Sequence, residues 1–397
     1  MAPDNVVIAS YARTPMGAFQ GAFEGVRSTQ LGSVAVKAAV ERAGVDRHAI
    51  ERIYMGCVLP AGLGQAPARQ AAVGAGLPLS TEATTINKMC GSGMQAVIMA
   101  AEAIGAGAID VAVAGGMESM TGAPYLLAKH RAGARIGHDQ IIDSMMMDGL
   151  EDAYAPGKPM GAFAEDAARS YQFSRAEQEA YALESLNRAR SAIETGAFEA
   201  EVVPVPVPVK GRGGEILVAE DEQPGKAKPE KIPSLKPAFA PGGTITAATS
   251  ASISDGAAAL VLARESRARE AGLKVVARIV ATAAHAHEPA LFTTAPVPAI
   301  RKVLAKAGWS VGDVDLFEVN EAFAVVAMIA MRELGIPHER INVNGGATAL
   351  GHPIGATGAR IIATLVAALE ARGLQRGVAA LCIGGGEATA VAIEIAG

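Results

Sequence analysis

The segment VAVAGGME, residues 111–118, returns near the other end of the chain as ALCIGGGE, residues 380–387. Each copy is a short run of small and apolar residues that ends in glycines and a glutamate. That pattern is typical of a buried strand followed by a tight turn. The repetition indicates that one structural unit occurs twice in the chain.

A second pair of segments repeats with the same order. Residues 85–87 lead through a glycine turn into a helical run after Cys90, and residues 341–344 lead through a glycine-rich turn into another helical run. The second turn contains His352. We therefore interpret the chain as two similar α/β halves that arose by duplication.

Short β-branched runs alternate with alanine-rich runs of helical length, which predicts sheets covered by helices on both faces. The predicted strands are Val6–Ala9, Arg52–Met55, Val111–Ala114, Val275–Val280, Leu316–Val319 and Ala379–Ile383. The predicted helices are Leu31–Arg42, Met94–Ile104, Pro298–Ala307, Ala322–Leu334 and Ala359–Glu370.

A stretch of different character separates the halves. It contains a helical run over Arg175–Glu194 and alternating valine and proline over Val203–Val209, which favours an edge strand or an extended connector. Residues 210–231 balance five basic against five acidic residues and have the pattern of a solvated loop. The predicted domains are residues 1–120, completed by 250–271, then an inserted 121–249, and finally 272–397.

The composition of the chain argues against several classes of function. The chain has 397 residues, 50% of them hydrophobic, and a formal net charge of −5 without a basic block, which argues against nucleic-acid binding. Three cysteines make no disulfide framework and indicate a reducing setting. The N-terminus lacks the pattern of a secretory signal and no run is apolar for ~18 residues, so we expect a cytoplasmic protein that does not cross a membrane.

Cys90 is the strongest candidate for a reactive residue. It lies in NKMCGSGMQAV, residues 87–97, where a polar stretch turns into a helix. Unpaired N–H groups and the helix dipole at such a site favour a thiolate, which is a nucleophile. A free cysteine is more often an inert core residue. The flanking glycines and the distant polar clusters favour the reactive interpretation here.

Three further clusters supply candidate partners. His352 lies in a glycine-lined turn, Cys382 ends a strand before three glycines, and Asn320-Glu321 directly follows another strand. The N–H group of Gly384 is suited to donate to an oxyanion. Each cluster also has a structural interpretation, because a glycine turn can fix a structural histidine or cradle a phosphate and Asn320 can cap a helix.

We predict no metal site. His285 and His287 are two residues apart, but no third ligand follows a recognised spacing. Cys57 and the run Met145–Met147 have the pattern of ordinary core residues.

Together these clusters closely resemble the thiolase family, in particular its acetyl-CoA C-acetyltransferase branch, over essentially the whole chain. Besides the Cys90 block and the blocks around Asn320, His352 and Cys382, the resemblance includes Arg13-Thr14-Pro15, Gly115–Met120, Met160-Gly161, Ala164-Glu165, Pro237–Phe239 and Ser254–Ala258.

The resemblance implies a thiolase fold, with two βαβαβαββ halves packed in α-β-α-β-α layers and an inserted loop domain that covers coenzyme A. It implies the reversible Claisen condensation of two acetyl-CoA to acetoacetyl-CoA and CoA. These thioesters would be substrates, with no separate cofactor. It also implies a homotetramer, a dimer of dimers that uses a loop like Ser119–Asp148.

The resemblance assigns a role to each candidate. Cys90 would accept the acyl group and His352 would activate it. His352, with a water held by Asn320, would form the oxyanion hole for the condensing acyl-CoA. Cys382 would move the α-proton, and the N–H groups of Cys90 and Gly384 would stabilise the acyl-enzyme. Glu321 would orient the site, and the implied substrate contacts are Met160, Lys226, Phe239, Ser250 and Phe323.

This sequence departs from common family patterns at four places. Pro159 replaces a histidine before Met160, Ala251 replaces a serine, Glu387 follows the last glycines, and Lys226 stands near the place of an arginine. These changes concern chain length and CoA affinity rather than the chemistry. Two alternatives are a decarboxylating ketoacyl synthase, which needs no Cys382, and a non-catalytic acyl-CoA-binding protein, which would lack one of the four catalytic side chains.

Overall fold

The computed structural model describes residues 4–209 and 213–396. Residues 1–3 of the predicted N-terminal half and Gly397 of the predicted C-terminal half lie outside the described residues. So do Lys210 and Arg212 of the predicted solvated loop.

The N-terminal part alternates strands with helices. Its elements are β1 (Val6–Arg13), β2 (Gly17–Ala18), α1 (Ser28–Ala43), β3 (Arg52–Gly56), α2 (Pro67–Gly74), β4 (Glu82–Ile86), α3 (Ser92–Gly105) and β5 (Val111–Ser119).

The middle of the chain is irregular, and its described residues form two small two-stranded sheets and three α-helices. Its elements are β6 (Tyr125–Leu126), β7 (Ile142–Asp143), α4 (Met160–Ser170), α5 (Arg175–Glu194), β8 (Val205–Pro208), β9 (Glu215–Val218) and α6 (Glu222–Lys226). The Val-Pro run forms β8 of a separate two-stranded hairpin, as an edge strand can. Helix α5 begins at a capping box of Ser174 and Glu177.

The remainder returns to the first half and then repeats its pattern. Its elements are β10 (Ser254–Arg264), α7 (Glu265–Glu270), β11 (Ala277–Ala286), α8 (Pro296–Ala307), β12 (Leu316–Val319), α9 (Ala324–Leu334), α10 (Ala347–Leu350), α11 (Ile354–Arg372), β13 (Arg376–Ile383) and β14 (Glu387–Ile395).

Strand order shows the duplication directly. The sequence β1-β10-β5-β3-β4 in one half matches β11-β14-β13-β12 in the other, and a parallel bridge from Phe317 to Ile341 takes the place of the fifth strand. In both halves the first two pairings are antiparallel and the next is parallel. A short ladder between Val6–Ile8 and Ala277–Ile279 joins the two halves into one mixed sheet.

Helices form three layers around these strands. Helices α3 and α11 pack against each other between the two halves, while α1 with α2 and α8 with α9 cover the outer faces. This arrangement is the α/β fold with alternating layers that the sequence predicted. Helix α11 is long and apolar enough to span a membrane, yet most of it is buried between α3 and the strands.

Glycine makes the central contact possible. A Cβ on Gly116 of β5 would lie 2.0 Å from the carbonyl oxygen of Gly355, so only glycine lets the first turn of α11 rest on β5. Because α3 and α11 begin on the same side of this contact, the segments that precede both helices meet there. Those segments carry Cys90 and His352.

Candidate active site

A cavity of about 920 Å³ opens where the two central helices begin. Its lining is mostly apolar and comes from both halves and from the middle of the chain. The predicted site residues that line it are Cys90, Met160, Phe239, Ser250, Phe323, His352, Cys382 and Gly384.

The turn that presents Cys90 is tightly constrained. Met89 adopts a left-handed conformation with φ of 46°, and the Ser92 hydroxyl donates to the Met89 carbonyl at 2.6 Å. A Cβ on Gly91 would lie 2.3 Å from the Cδ1 atom of Ile383, next to Cys382. Glycine therefore lets the Cys90 turn pack directly on the end of β13.

The ionisation of Cys90 differs from the prediction. We expected the helix N-terminus to favour a thiolate, but burial raises the pKa of Cys90 to about 11. The backbone N–H groups of Gly384 and of Cys90 itself lower this pKa, without overcoming the desolvation. The resting group is thus a neutral thiol, and the backbone N–H groups of Gly384 and Cys90 favour its ionised form.

Cys382 lies fully buried at the end of β13. Burial raises the pKa of its thiol well above the ordinary value, and the proximity of Cys90 raises it further. Both cysteines line the same cavity. Cys382 therefore keeps its proton near neutral pH and is able to donate it.

His352 is a neutral base held in one tautomer. Burial and, to a smaller extent, the nearby Arg360 guanidinium lower its pKa to about 3. The Thr357 hydroxyl donates to the Pro353 carbonyl at 3.0 Å, so the His352 Nδ1–H donates to that hydroxyl oxygen at 2.7 Å. Nε2 is then unprotonated, and its lone pair, 3.5 Å from the Asn320 side-chain nitrogen, is able to accept a proton.

Asn320 lies behind His352. Its side-chain nitrogen is 3.5 Å from His352 Nε2, and it is almost completely buried. Among the described residues its Oδ1 has no hydrogen-bond partner. A buried amide oxygen without a protein partner favours binding of a polar group such as water.

Glu321 connects the middle of the chain to the C-terminal half. Its buried carboxylate accepts hydrogen bonds from five donors on three segments. They are Tyr181 Oη, Ser185 Oγ, Asn342 Nδ2, Thr348 N and Thr348 Oγ1. The carboxylate fixes α5 against the strand end that carries Asn320, and this agrees with an orienting role.

Glu118 is a site-supporting residue that sequence reasoning did not single out, although it ends the repeated segment. Its buried carboxylate accepts from the N–H groups of Val58, Leu59 and Gly355 at 2.9–3.1 Å. Burial raises its pKa to about 7, while these N–H groups oppose the rise. It holds the first turn of α11, three residues after His352.

The apolar wall of the cavity is aromatic. Phe239 packs edge-to-face on Phe323 with ring centroids 5.7 Å apart. A Cβ on Gly161 would lie 2.4 Å from the Phe239 ring, which explains a glycine after Met160. The Ser250 hydroxyl donates to the Thr246 carbonyl at 2.9 Å.

Lys226 is the one predicted substrate contact that lies away from this wall. It is exposed in α6 and pairs with Glu222, and it is not among the residues that line the cavity. Lys226 was predicted as a contact because it stands near the place of a family arginine in the sequence. That position does not show which side of α6 faces the cavity.

The site's two cysteines, histidine and asparagine come from both repeated units, and both units match known domain families. Residues 6–266 match the thiolase N-terminal domain, and residues 273–395 match the thiolase C-terminal domain. The chain belongs to the thiolase family.

Curated relatives align with this thiolase from end to end. An acetyl-CoA acetyltransferase from Schizosaccharomyces pombe is 47% identical, with 99% of this chain and 100% of the relative covered. Acetyl-CoA acetyltransferase 2 from Arabidopsis thaliana is 49% identical over 99% and 98% of the two chains.

Solved structures agree with the thiolase fold. The acetyl-CoA acetyltransferase of Bacillus anthracis superimposes with a TM-score of 0.96 at 40% identity, covering 100% of both chains. A thiolase from Ascaris suum, solved in complex with coenzyme A, gives a TM-score of 0.92 at 42% identity over 99% and 100% of the two chains.

Proposed function

We propose that this thiolase is an acetyl-CoA C-acetyltransferase that condenses two acetyl-CoA molecules to acetoacetyl-CoA and CoA, and catalyses the reverse thiolysis. The observation that carries the proposal is the convergence of Cys90, His352, Cys382 and the Gly384 N–H at one cavity. The full-length similarity to acetyl-CoA acetyltransferases supports the substrate.

In the first half-reaction the Cys90 sulfur attacks the thioester carbon of acetyl-CoA. His352 Nε2 accepts the thiol proton as the bond forms. The N–H groups of Gly384 and Cys90 stabilise the oxyanion. Cys382 gives its proton to the departing CoA sulfur, so the products are free CoA, acetylated Cys90 and a Cys382 thiolate.

In the second half-reaction the Cys382 thiolate removes an α-proton from the second acetyl-CoA. Its raised pKa suits this step, because a weakly acidic thiol gives a strong base. The protonated His352 and a water bound by Asn320 stabilise the enolate oxygen. The carbanion attacks the acetyl group on Cys90, acetoacetyl-CoA leaves, and the Cys90 thiolate recovers its proton from His352.

Both alternative functions lack support in this geometry. A decarboxylating synthase does not require Cys382, yet Cys382 lines the cavity beside Cys90. A non-catalytic binding protein does not require a histidine on the cavity wall with an asparagine nitrogen 3.5 Å from its Nε2, as His352 and Asn320 are placed here.

A thiolysis assay tests the proposal. Acetoacetyl-CoA and CoA are mixed with the protein, and the absorbance of the 3-ketothioester–Mg²⁺ complex is followed. We expect the absorbance to fall in proportion to enzyme concentration. A constant absorbance would refute the proposed function.

The preferred chain length is a further part of the proposal. We expect short-chain preference with weaker activity on longer 3-ketoacyl-CoAs, because the aromatic wall of Phe239 and Phe323 crowds the apolar cavity. Met160 and Pro159 also line it, where a histidine is common. Thiolysis rates with C4, C6, C10 and C16 substrates test this, and a maximum at C10 or longer would contradict it.

The assembly we propose is a homotetramer built as a dimer of dimers. The segment Ser119–Asp148 resembles the tetramerisation loop of related tetramers, and five of its large apolar side chains are exposed: Tyr125, Leu127, Ile136, Ile141 and Met147. Light scattering should give about four times the 40.3 kDa chain mass. A stable dimer at micromolar concentration would contradict this.

We also propose a cytoplasmic location. The three cysteines are free thiols, and two of them must stay reduced for the proposed chemistry. Fractionation of cells that produce the protein tests this, and recovery from an oxidising compartment would contradict it.

A further inference from the structure

The two copies of the repeated segment end in glutamates that make reciprocal contacts. Glu118, in the N-terminal half, accepts from Gly355 N at 2.9 Å and so holds the segment that follows His352. Glu387, in the C-terminal half, forms an ion pair with Lys88, two residues before Cys90. Each half thus uses a glutamate after its glycines to hold the catalytic loop of the other half.

The Lys88–Glu387 pair lies beside the contact that matters for acyl transfer. Glu387 is paired with Ile383 across the turn between β13 and β14, and Ile383 packs against Gly91 in the Cys90 turn. Gly384, whose N–H favours the Cys90 thiolate, lies within the same turn. The ion pair and the Ile383–Gly91 packing therefore join the same two loops from different sides.

We propose that Lys88 and Glu387 form a positioning pair that keeps the Gly384 N–H aimed at the Cys90 sulfur. This rests on the proposed function. Neither side chain is among the residues that line the cavity, so the pair acts through Gly384 and Cys90 and not on the substrate.

A positioning role differs from a stabilising one in its consequences. The pair is partly exposed, with side-chain exposures of 25% and 37%, and such pairs contribute little to folding stability. Oxyanion stabilisation, in contrast, depends steeply on the placement of the donor. The two residues are 299 positions apart in sequence, so their contact depends on the tertiary fold.

The test is a double-mutant cycle with Lys88→Ala, Glu387→Ala, the double variant, and the charge exchange K88E/E387K. Each single variant should lower kcat about tenfold, since small displacements of catalytic groups cost one to two orders of magnitude. The KM for acetyl-CoA should change less than about twofold. The double variant should be no worse than either single variant, and the charge exchange should recover most of kcat.

The alkylation rate of Cys90 with iodoacetamide at fixed pH supplies a readout that needs no turnover. Loss of positioning weakens the N–H contact, so both single variants should slow alkylation. A simple charge effect moves the two variants in opposite directions, because a cation favours a thiolate and an anion disfavours it. Opposite shifts would overturn the proposal, as would single-variant effects on kcat that multiply in the double variant.

The Arg376–Glu394 pair is the matched control. It joins β13 to β14 at the far end of the same hairpin, with similar exposures of 38% and 34%. R376A/E394A should leave kcat and the alkylation rate within about twofold of wild type. If wild type and this control both lack turnover, the proposed function fails, while the alkylation comparison still decides the role of Lys88 and Glu387.

Discussion

Cys90 and Cys382 occupy contrasting places at the same cavity. Cys90 stands in a half-buried turn before a helix of the N-terminal half, and Cys382 is buried at a strand end of the C-terminal half. Burial raises the pKa of both thiols. For Cys90 the N–H groups of Gly384 and Cys90 oppose the rise, whereas for Cys382 its own N–H is offset by the neighbouring sulfur.

Under the proposed function, this difference explains how two chemically identical thiols would take different roles. The N–H groups near Cys90 stabilise its thiolate, so a base removes the Cys90 proton more easily. The same N–H groups then stabilise the acyl-enzyme oxyanion. The thiol without that help holds its proton until CoA leaves. The local backbone, rather than the side chain, divides nucleophile from acid.

Removing the nucleophile should have the largest effect. Cys90→Ala should reduce thiolysis and condensation to background and should form no covalent adduct with acetyl-CoA, since no other thiol in the cavity faces an oxyanion hole. Steady-state assays and the unfolding midpoint measure activity and folding together. Residual turnover above background in a folded variant would contradict the division of roles.

Removing the acid should slow the first half-reaction and nearly stop the second. Cys382→Ala should still be acetylated at Cys90, but more slowly because the departing CoA loses its proton donor, while overall turnover falls further, by about 10²–10⁴, the usual cost of a positioned acid or base. Single-turnover acetylation measured beside steady-state kcat checks this. Equal losses in both measurements would show that the two cysteines act as one unit.

Asn320 should affect mainly the condensation step. Asn320→Ala should lower kcat for condensation by about 10²–10³, because it removes the amide that holds one oxyanion donor. Acetylation of Cys90 should change little. Asn344→Ala is the control, because the Asn344 Oδ1 accepts from Arg372 away from the cavity. Equal losses in the two variants would contradict the assignment.

The pH dependence of Cys90 alkylation tests the resting ionisation of the thiol without changing any side chain. With a thiol pKa of about 11 and a histidine pKa of about 3, the resting pair is neutral near pH 7. The thiolate fraction, and with it the iodoacetamide rate, should rise about tenfold per pH unit from 7 to 10. A plateau below pH 7 would indicate a resting thiolate–imidazolium pair.

Sequence predicted the elements whose ends are marked by local chemistry. The strand Leu316–Val319 and the helix Arg175–Glu194 agree with the structure at both ends; Asn320 directly follows the strand, and the Ser174 capping box starts the helix. Strand β1 runs to Arg13 instead of ending at Ala9. Its extension pairs residues 10–13 with residues 258–261 of β10, a long-range pairing that no local pattern reveals, and buried ion pairs join Arg13 to Glu201 and Asp221.

The candidate site also has features that the sequence predicts locally and features that depend on distant contacts. Cys90, His352 and Cys382 could be selected as candidates because Cys90 and His352 lie in glycine-rich turns and Cys382 ends a strand just before three glycines. The hydrogen bond from Gly355 to Glu118 could not be predicted, because the two residues are 237 positions apart in the sequence. The neutral state of Cys90 was missed for a similar reason, since the helix N-terminus is visible in the sequence but the desolvation comes from packing of both halves.

The central claim is that Cys90 carries the acyl group and Cys382 does not. Its most direct test is mass spectrometry of the wild-type protein after brief exposure to acetyl-CoA, with peptide mapping of the modified thiol. We expect one acetyl group, on the peptide that contains Cys90. An acetyl group on Cys382 with Cys90 unmodified would contradict the account and reverse the two roles.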